Sequence, residues 1–151
     1  KPSGTAITSM DEKLINHAVK YVEDNIARSD LSVEELSKEL GMSRVHLYKK
    51  LLAITGKTPI EFIRIIRLQR AAQLLRGSQQ NISEIAYQVG FNNPKYFSRY
   101  FKEEFGILPS AFQYKHNINK VDSFQYFIVP FKVCIGVSST DIRSVTDFIY
   151  E

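Results

Sequence analysis

Lys95 and Arg99 stand four residues apart in the stretch "NPKYFSRYFKEEFG", so a helix here sets both cations on one face. Side chains of this type at this spacing donate hydrogen bonds, to phosphate oxygens or, for a guanidinium, in pairs to a base edge. Fifty positions earlier, in "SRVHLYKKLLAIT", Leu47, Leu51 and Ile54 recur at helical spacing and leave Arg44, Val45, Tyr48 and Lys49 on or beside the opposite face. Both stretches therefore offer recognition chemistry directed at an anion, or else an ordinary solvated face. Catalytic chemistry has no comparable footing. The sequence holds no glycine-rich phosphate loop, no paired-histidine metal spacing and no local nucleophile motif, and His17, His46 and His116 fall on separate elements.

The charge of the 151-residue chain agrees with an anionic partner. Its formal charge is +4, and the excess is confined to one part: residues 1–115 carry 17 Lys and Arg against 12 Asp and Glu, residues 116–151 carry 3 against 4. The length suits one domain or two very small ones. A single cysteine, Cys134, excludes an internal disulfide framework and a cysteine-based zinc site and fits a reducing compartment. No secretory leader or apolar run of bilayer length is present. The opening "KPSGTAITS" lacks an initiator Met and reads as a flexible joint at the front of a processed chain or of a piece cut from a larger protein.

Several elements must position the two cationic faces. A first helix is expected from about 10 to 27, with Ser9 as N-cap, Glu12 as its capping-box partner, and Leu14, Ile15, Ala18, Val19, Val22 and Ile26 as the apolar stripe. His17 and Tyr21 lie on its flank. A short helix follows from about Ser32, with Leu36 and Leu40 packed and Glu34, Glu35, Lys38 and Glu39 facing water. Gly41 then turns the chain into a helix entered through Ser43. Helix, tight turn, helix is the geometry of a reader whose second helix lies in the major groove.

The same unit is written twice. Leu36, Leu40 and Gly41 return 49 positions on as Ile85, Val89 and Gly90. Past the turn the offset becomes 50, and Leu47, Leu51, Gly56, Pro59 and Phe62 return as Phe97, Phe101, Gly106, Pro109 and Phe112. The second turn thus has one extra residue. Between the units Thr58 caps a helix predicted over 59–75, with Pro59 in its first turn, Ile60, Ile63, Ile66, Leu68, Ala71, Leu74 and Leu75 as packed area, and Gly77 closing the run. At 1.5 Å per residue this rod is about 25 Å long, of the order needed to set two readers about 34 Å apart on DNA. Arg64, Arg67, Arg70 and Arg76 on it could hold phosphates. Arg67 and Arg70, however, lie where the rod must pack.

On these motifs, above all "ISEIAYQVGFNNPKYFSRYFKEEFGILPSAF", the chain resembles the DNA-binding domain of AraC/XylS-type transcription regulators over residues 10–115. The resemblance implies an all-α fold of two helix-turn-helix units joined by a long linker helix. It implies a sequence-specific reader of double-stranded DNA rather than an enzyme, with no cofactor and no metal. Carried over by motif position, the DNA-binding residues are Ser43, Arg44, Val45, Tyr48 and Lys49 in the first unit and Asn93, Pro94, Lys95, Ser98 and Arg99 in the second. Val45 departs from the bulkier residue frequent at its position and reaches little beyond a thymine methyl. Lys50 could point across the phosphates or away. Asn92 or Asn93 caps the second reader, whose first-turn N–H groups could hold a phosphate. Phe91 and Phe105 close the core at either end.

The front of the chain, "ITSMDEKLINHAVKYVEDNI", is similar to the join behind the receiver in Bacteroidetes hybrid sensor-regulators. That likeness implies a two-component parent, a fused or associated regulatory domain outside this chain, dimerisation through regions outside it, RNA polymerase as a further partner, and a cytoplasmic DNA-binding part whose parent could be membrane-anchored. Residues 1–9 are then a flexible linker, 10–115 the double helix-turn-helix domain, and 116–151 a tail of unassigned role. Phe124 to Val137 in that tail is rich in β-branched and aromatic residues, reading as strands or as a segment disordered in isolation. A helical protein-interaction module is the rival reading, because aromatic-rich helices also form interfaces. Steeply salt-dependent binding to duplex DNA separates the two.

Overall fold

The computed structural model describes residues 8–118; of the tail expected over 116–151, residues 119–151 lie outside them, the strand-like stretch from Phe124 to Val137 and Cys134 included. The described residues are helical throughout, with no strand among them: α1 Ser9–Asp24, α2 Val33–Glu39, α3 Arg44–Thr55, α4 Pro59–Gly77, α5 Ile82–Gln88, α6 Pro94–Phe105 and α7 Pro109–Ile118. They divide into two compact units, one of residues 8–25 and 31–66, the other of residues 26–30 and 67–118.

In the first unit α1 packs on α2 and α2 on α3. Its core is mainly aliphatic: Ile15, Ala18, Val19 and Val22 of α1, Leu36 of α2, and Leu47, Leu51 and Ile54 of α3 are buried, as is the Phe62 ring of α4. The start of α1 differs from expectation. Thr8 is the N-cap, its hydroxyl accepting from Asp11 N at 3.1 Å, and Asp11 completes the capping box, where Ser9 and Glu12 were expected. The helix also ends earlier, at Asp24, because the Asn25 side chain bonds back to the Tyr21 carbonyl. Nor do all the α2 acids simply face water. Tyr21 donates to Glu35 at 3.0 Å and His17 lies 3.2 Å from Glu39, tying α2 to α1.

The second unit repeats the plan with an aromatic filling. Leu68, Ala71, Ala72 and Leu75 from the second half of α4 pack with Ile85, Ala86 and Val89, and with Phe97, Phe101 and Phe112. The rings form a continuous set, with centroids 5.3 Å apart for Phe91–Phe97, 5.7 Å for Phe97–Phe101, 4.5 Å for Phe101–Phe105 and 5.3 Å for Phe101–Phe112. Phe91 and Phe105 flank it as expected. His116 stacks on Phe112 inside α7, so this last helix runs past the boundary expected at 115.

The duplication holds down to the caps. Ser32 and Asn81 cap α2 and α5, Ser43 and Asn93 cap α3 and α6, and Gly56 and Gly106 end α3 and α6 in the left-handed conformation. At the turns, Gly41 N donates to Lys38 O and Met42 N to Ser37 O. Gly90 N and Phe91 N donate in the same way to Tyr87 O and Ala86 O. Both glycines have positive φ, 68° and 91°, which residues with a Cβ adopt only at a cost.

α4 is one unbroken helix, longer by two residues than predicted. It has no clean amphipathic stripe because most of its circumference is buried: Phe62, Ile63, Ile65 and Ile66 in the first unit, and Arg67, Leu68, Gln69, Ala71, Ala72 and Leu75 in the second. Ile60, expected among the packed residues, is instead 63% exposed. Arg67 takes the packing role foreseen for it. Its guanidinium donates to the Gly90 carbonyl and, at 2.7 Å, to the Arg28 carbonyl. Burial draws its pKa down from the usual arginine value, with the Asp30 charge acting against that. Arg70 differs: it is exposed and reaches Gln73 on its own helix at 3.2 Å.

Candidate nucleic-acid interface

Each unit presents the outer face of its second helix. In α3 the Ser43 hydroxyl accepts from His46 N at 3.1 Å, fixing the helix start. Leu47 and Leu51 then point into the core, and the geometry of 3.6 residues per turn leaves Arg44, Val45, Tyr48 and Lys49 exposed. In α6 Asn93 Oδ1 accepts from Lys95 N at 2.9 Å with Pro94 in the first turn, so Asn93 and not Asn92 is the cap. Phe97 and Phe101 are fully buried, Lys95 and Arg99 are exposed, and Ser98 is half-buried beside them. Every residue nominated from the sequence thus lies on α3, on α6 or at their caps. Ser43 and Asn93 have their side-chain oxygens engaged in capping.

Electrostatics favour an anion at both helices. Neither has an acidic residue in its first turn, so the partial positive charge of the helix start is not offset by the helix itself. Among the described residues Arg44, Lys49, Lys95 and Arg99 enter no ion pair. Lys50 is resolved the other way, since its ammonium turns back to Asp11 of α1 at 3.3 Å. The Arg99 guanidinium lies 5.1 Å from the ring centroids of both Tyr96 and Tyr100. These two cation–π contacts favour a defined place for an otherwise flexible cation, which lowers the entropy lost on contact.

Two features escaped the sequence reading. Tyr96, half exposed, takes part in the face by holding Arg99. Beside α3 lies a cleft of about 690 Å³ lined by Val33, Arg44, Val45, Tyr48, Lys49, Thr58, Pro59 and Ile60. The cleft exists because Ile60 and Pro59 open α4 next to the outer face of α3. Helical periodicity read Ile60 as one more packed residue, and only the exposure of its neighbour Val45 hinted otherwise.

The exposed donors can hydrogen-bond phosphates and base edges. Among the described residues no helix is long and apolar enough to cross a membrane.

A family model described as a helix-turn-helix domain matches residues 36–115. The chain is 50% identical over 116 residues to Histidine kinase P4 of Formosa agariphila, covering 77% of this chain and 8% of that protein. It is 35% identical over 105 residues to the lactose operon transcription activator of Staphylococcus xylosus, covering 70% of this chain and 37% of that one. The chain therefore spans well under half the length of these curated relatives. Among solved structures, a transcriptional regulator of Chromobacterium violaceum, described as containing an AraC-type DNA-binding domain, superposes with a TM-score of 0.66 at 27% identity, covering 72% of this chain and 96% of that one.

Proposed function

Because this chain belongs to the AraC-type helix-turn-helix family, whose members are DNA-binding domains of transcription regulators and not enzymes, we propose that α3 and α6 are its two readers. Ser43, Arg44, Val45, Tyr48 and Lys49 serve the first, and Asn93, Pro94, Lys95, Ser98 and Arg99 the second. One observation carries this assignment: in both units the helix face opposite the buried pair, Leu47 with Leu51 or Phe97 with Phe101, presents cations without carboxylate partners among the described residues.

The mechanism is non-catalytic. Each reader lays its exposed face in a major groove, Ser43 and Asn93 hold the helix starts in place, and Arg and Lys side chains donate to phosphates and base edges. Two readers in one chain let a monomer engage an asymmetric site. The surrounding protein supplies the regulation. The likeness to a histidine kinase supports a two-component parent with a fused regulatory domain. Dimerisation through that part, contact with RNA polymerase and a cytoplasmic setting for the reader complete the reading.

Selection from a randomised duplex pool at stated salt tests it. The expected result is a preferred sequence whose affinity falls steeply as salt rises, through release of phosphate counterions. Binding without sequence preference, or no binding by the folded chain, contradicts it and favours a protein-interaction module.

A further inference from the structure

The two outer faces share a backbone plan but not a chemistry. Position by position at the offset of 50, Val45, Tyr48 and Leu52 of α3 correspond to Lys95, Ser98 and Lys102 of α6. In α3 these side chains are large, apolar and open to water: Val45 is 66% exposed, Tyr48 48% and Leu52 43%. Val45 and Tyr48 also line the cleft beside α3 with Val33, Pro59 and Ile60. An apolar surface of this kind marks a place that a partner covers. Among the described residues the same cleft is lined by Arg44 and Lys49 and by no carboxylate, which suits a polyanion that also presents apolar groups. In the major groove of DNA that group is the C5 methyl of thymine, the one apolar projection among the base edges.

We propose that the readers divide the base code chemically: α3 selects thymine through its 5-methyl group, using Val45, with Tyr48 walling the same cleft, whereas α6 selects guanine through the guanidinium of Arg99, with Lys95 beside it on the helix face. This rests on α3 and α6 being the readers and goes further, since it assigns a base to each. It does not require either helix to lack phosphate contacts. Lys49 and Arg44 hold the backbone while the apolar side chains discriminate.

The experiment uses the full chain and the duplex it prefers from a randomised pool. Each thymine is replaced singly by uracil, which keeps the base pair and removes only the methyl, and each guanine by 7-deazaguanine, which removes the N7 acceptor. Uracil at the α3 block should lower affinity about fourfold per methyl, the value of burying one such group. Val45→Ala should bind the thymine and uracil duplexes equally, whereas Arg99→Ala should keep the uracil penalty in full and lose the 7-deazaguanine penalty. Such a cycle between protein and base isolates the pairwise contact from general loss of affinity. Val45 is exposed, so an unchanged melting temperature confirms that the variant folds. A preferred duplex indifferent to uracil at every position, or a Val45→Ala protein that still discriminates, overturns the proposal while leaving the reader assignment intact, and gives the cleft to a protein partner. A pool that yields no preferred duplex overturns both.

Discussion

The two helix-turn-helix units are the same backbone built twice from different materials. Reader helices of equal length, caps at the same positions and glycine turns with the same hydrogen bonds recur, at an offset of 49 before the turn and 50 after it. The first unit is filled mainly with Leu, Ile and Val, with Phe62 as a buried ring, and faces outward with Val45, Tyr48 and Leu52. The second is filled with phenylalanine rings and faces outward with Lys95, Arg99 and Lys102. The pattern of buried and exposed positions determines the fold, so either chemistry satisfies it. The outer faces carry no such constraint, which leaves them free to diverge in what they bind.

The largest expected effect lies in the cores. Phe97→Ala removes a fully buried ring in contact with Phe91 and Phe101 and should cost about 3 to 5 kcal/mol, enough to threaten a small domain. Leu47→Ala, its counterpart, should cost about 2 to 4 kcal/mol, because it leaves a smaller cavity and breaks no ring contacts. Denaturant melts of both variants would sharpen the comparison. Equal losses would mean that the aromatic set adds nothing beyond volume.

Gly41 and Gly90 probe the turns. Alanine at 41 meets open space and suffers only the positive φ, about 1 to 2 kcal/mol. At 90 the added methyl would also run into the Arg67 guanidinium and the Ile26 carbonyl. Displacing Arg67 would leave the Gly90 and Arg28 carbonyls without this donor, raising the cost to about 2 to 4 kcal/mol. Thermal unfolding of the two variants checks this, and equal costs would show that Arg67 gives way freely.

On the outer faces the expected changes concern binding, not stability. Arg99→Ala should weaken DNA affinity by about 1 to 3 kcal/mol if the guanidinium pairs with a base, with its melting temperature unchanged. Lys49→Ala should mainly reduce the dependence of log affinity on log salt by about one charge. Affinities at two salt concentrations distinguish these roles.

The smallest effect is confined to the first unit and vanishes in acid. Burial pushes the Asp11 carboxyl up, but hydrogen bonds from the Thr8 hydroxyl and Lys50, with the Lys50 charge, prevail and hold its pKa below the ordinary aspartate value. A lowered carboxylate stabilises the fold above its unfolded pKa, and that contribution is lost as pH falls through the folded value. Asp11→Asn should therefore cost under about 1 kcal/mol near neutrality and nothing once Asp11 itself is protonated. Melts at neutral and strongly acid pH would reveal any difference that persists into acid, which would separate the loss from titration.

Much of this was legible in the sequence, because apolar spacing, cap residues and glycines act locally. The duplicated offsets locate both turns, Ser43 marks the entry to its helix, and Phe97 and Phe101 fall at the positions of the packed Leu47 and Leu51. What escaped depends on partners distant in sequence. Lys50 could point either way until Asp11, on another helix, claimed it. Ile60 read as core because periodicity cannot tell a packed apolar residue from one lining a cleft. The capping box slipped by one residue because Thr8 and Ser9 are both competent caps and only the geometry of Asp11 decides between them. Of the candidate site, the cations were legible as a face, whereas the contacts of Arg99 with Tyr96 and Tyr100 required the folded helix.

A hydroxyl-radical footprint of the chain on its preferred duplex, repeated with Lys49→Ala and Arg99→Ala at the same salt, bears most directly on the claim of two readers. Two protected blocks are expected, with Lys49→Ala weakening one and Arg99→Ala the other while both variants melt like the parent. A single block, or the same block lost in both folded variants, would contradict it.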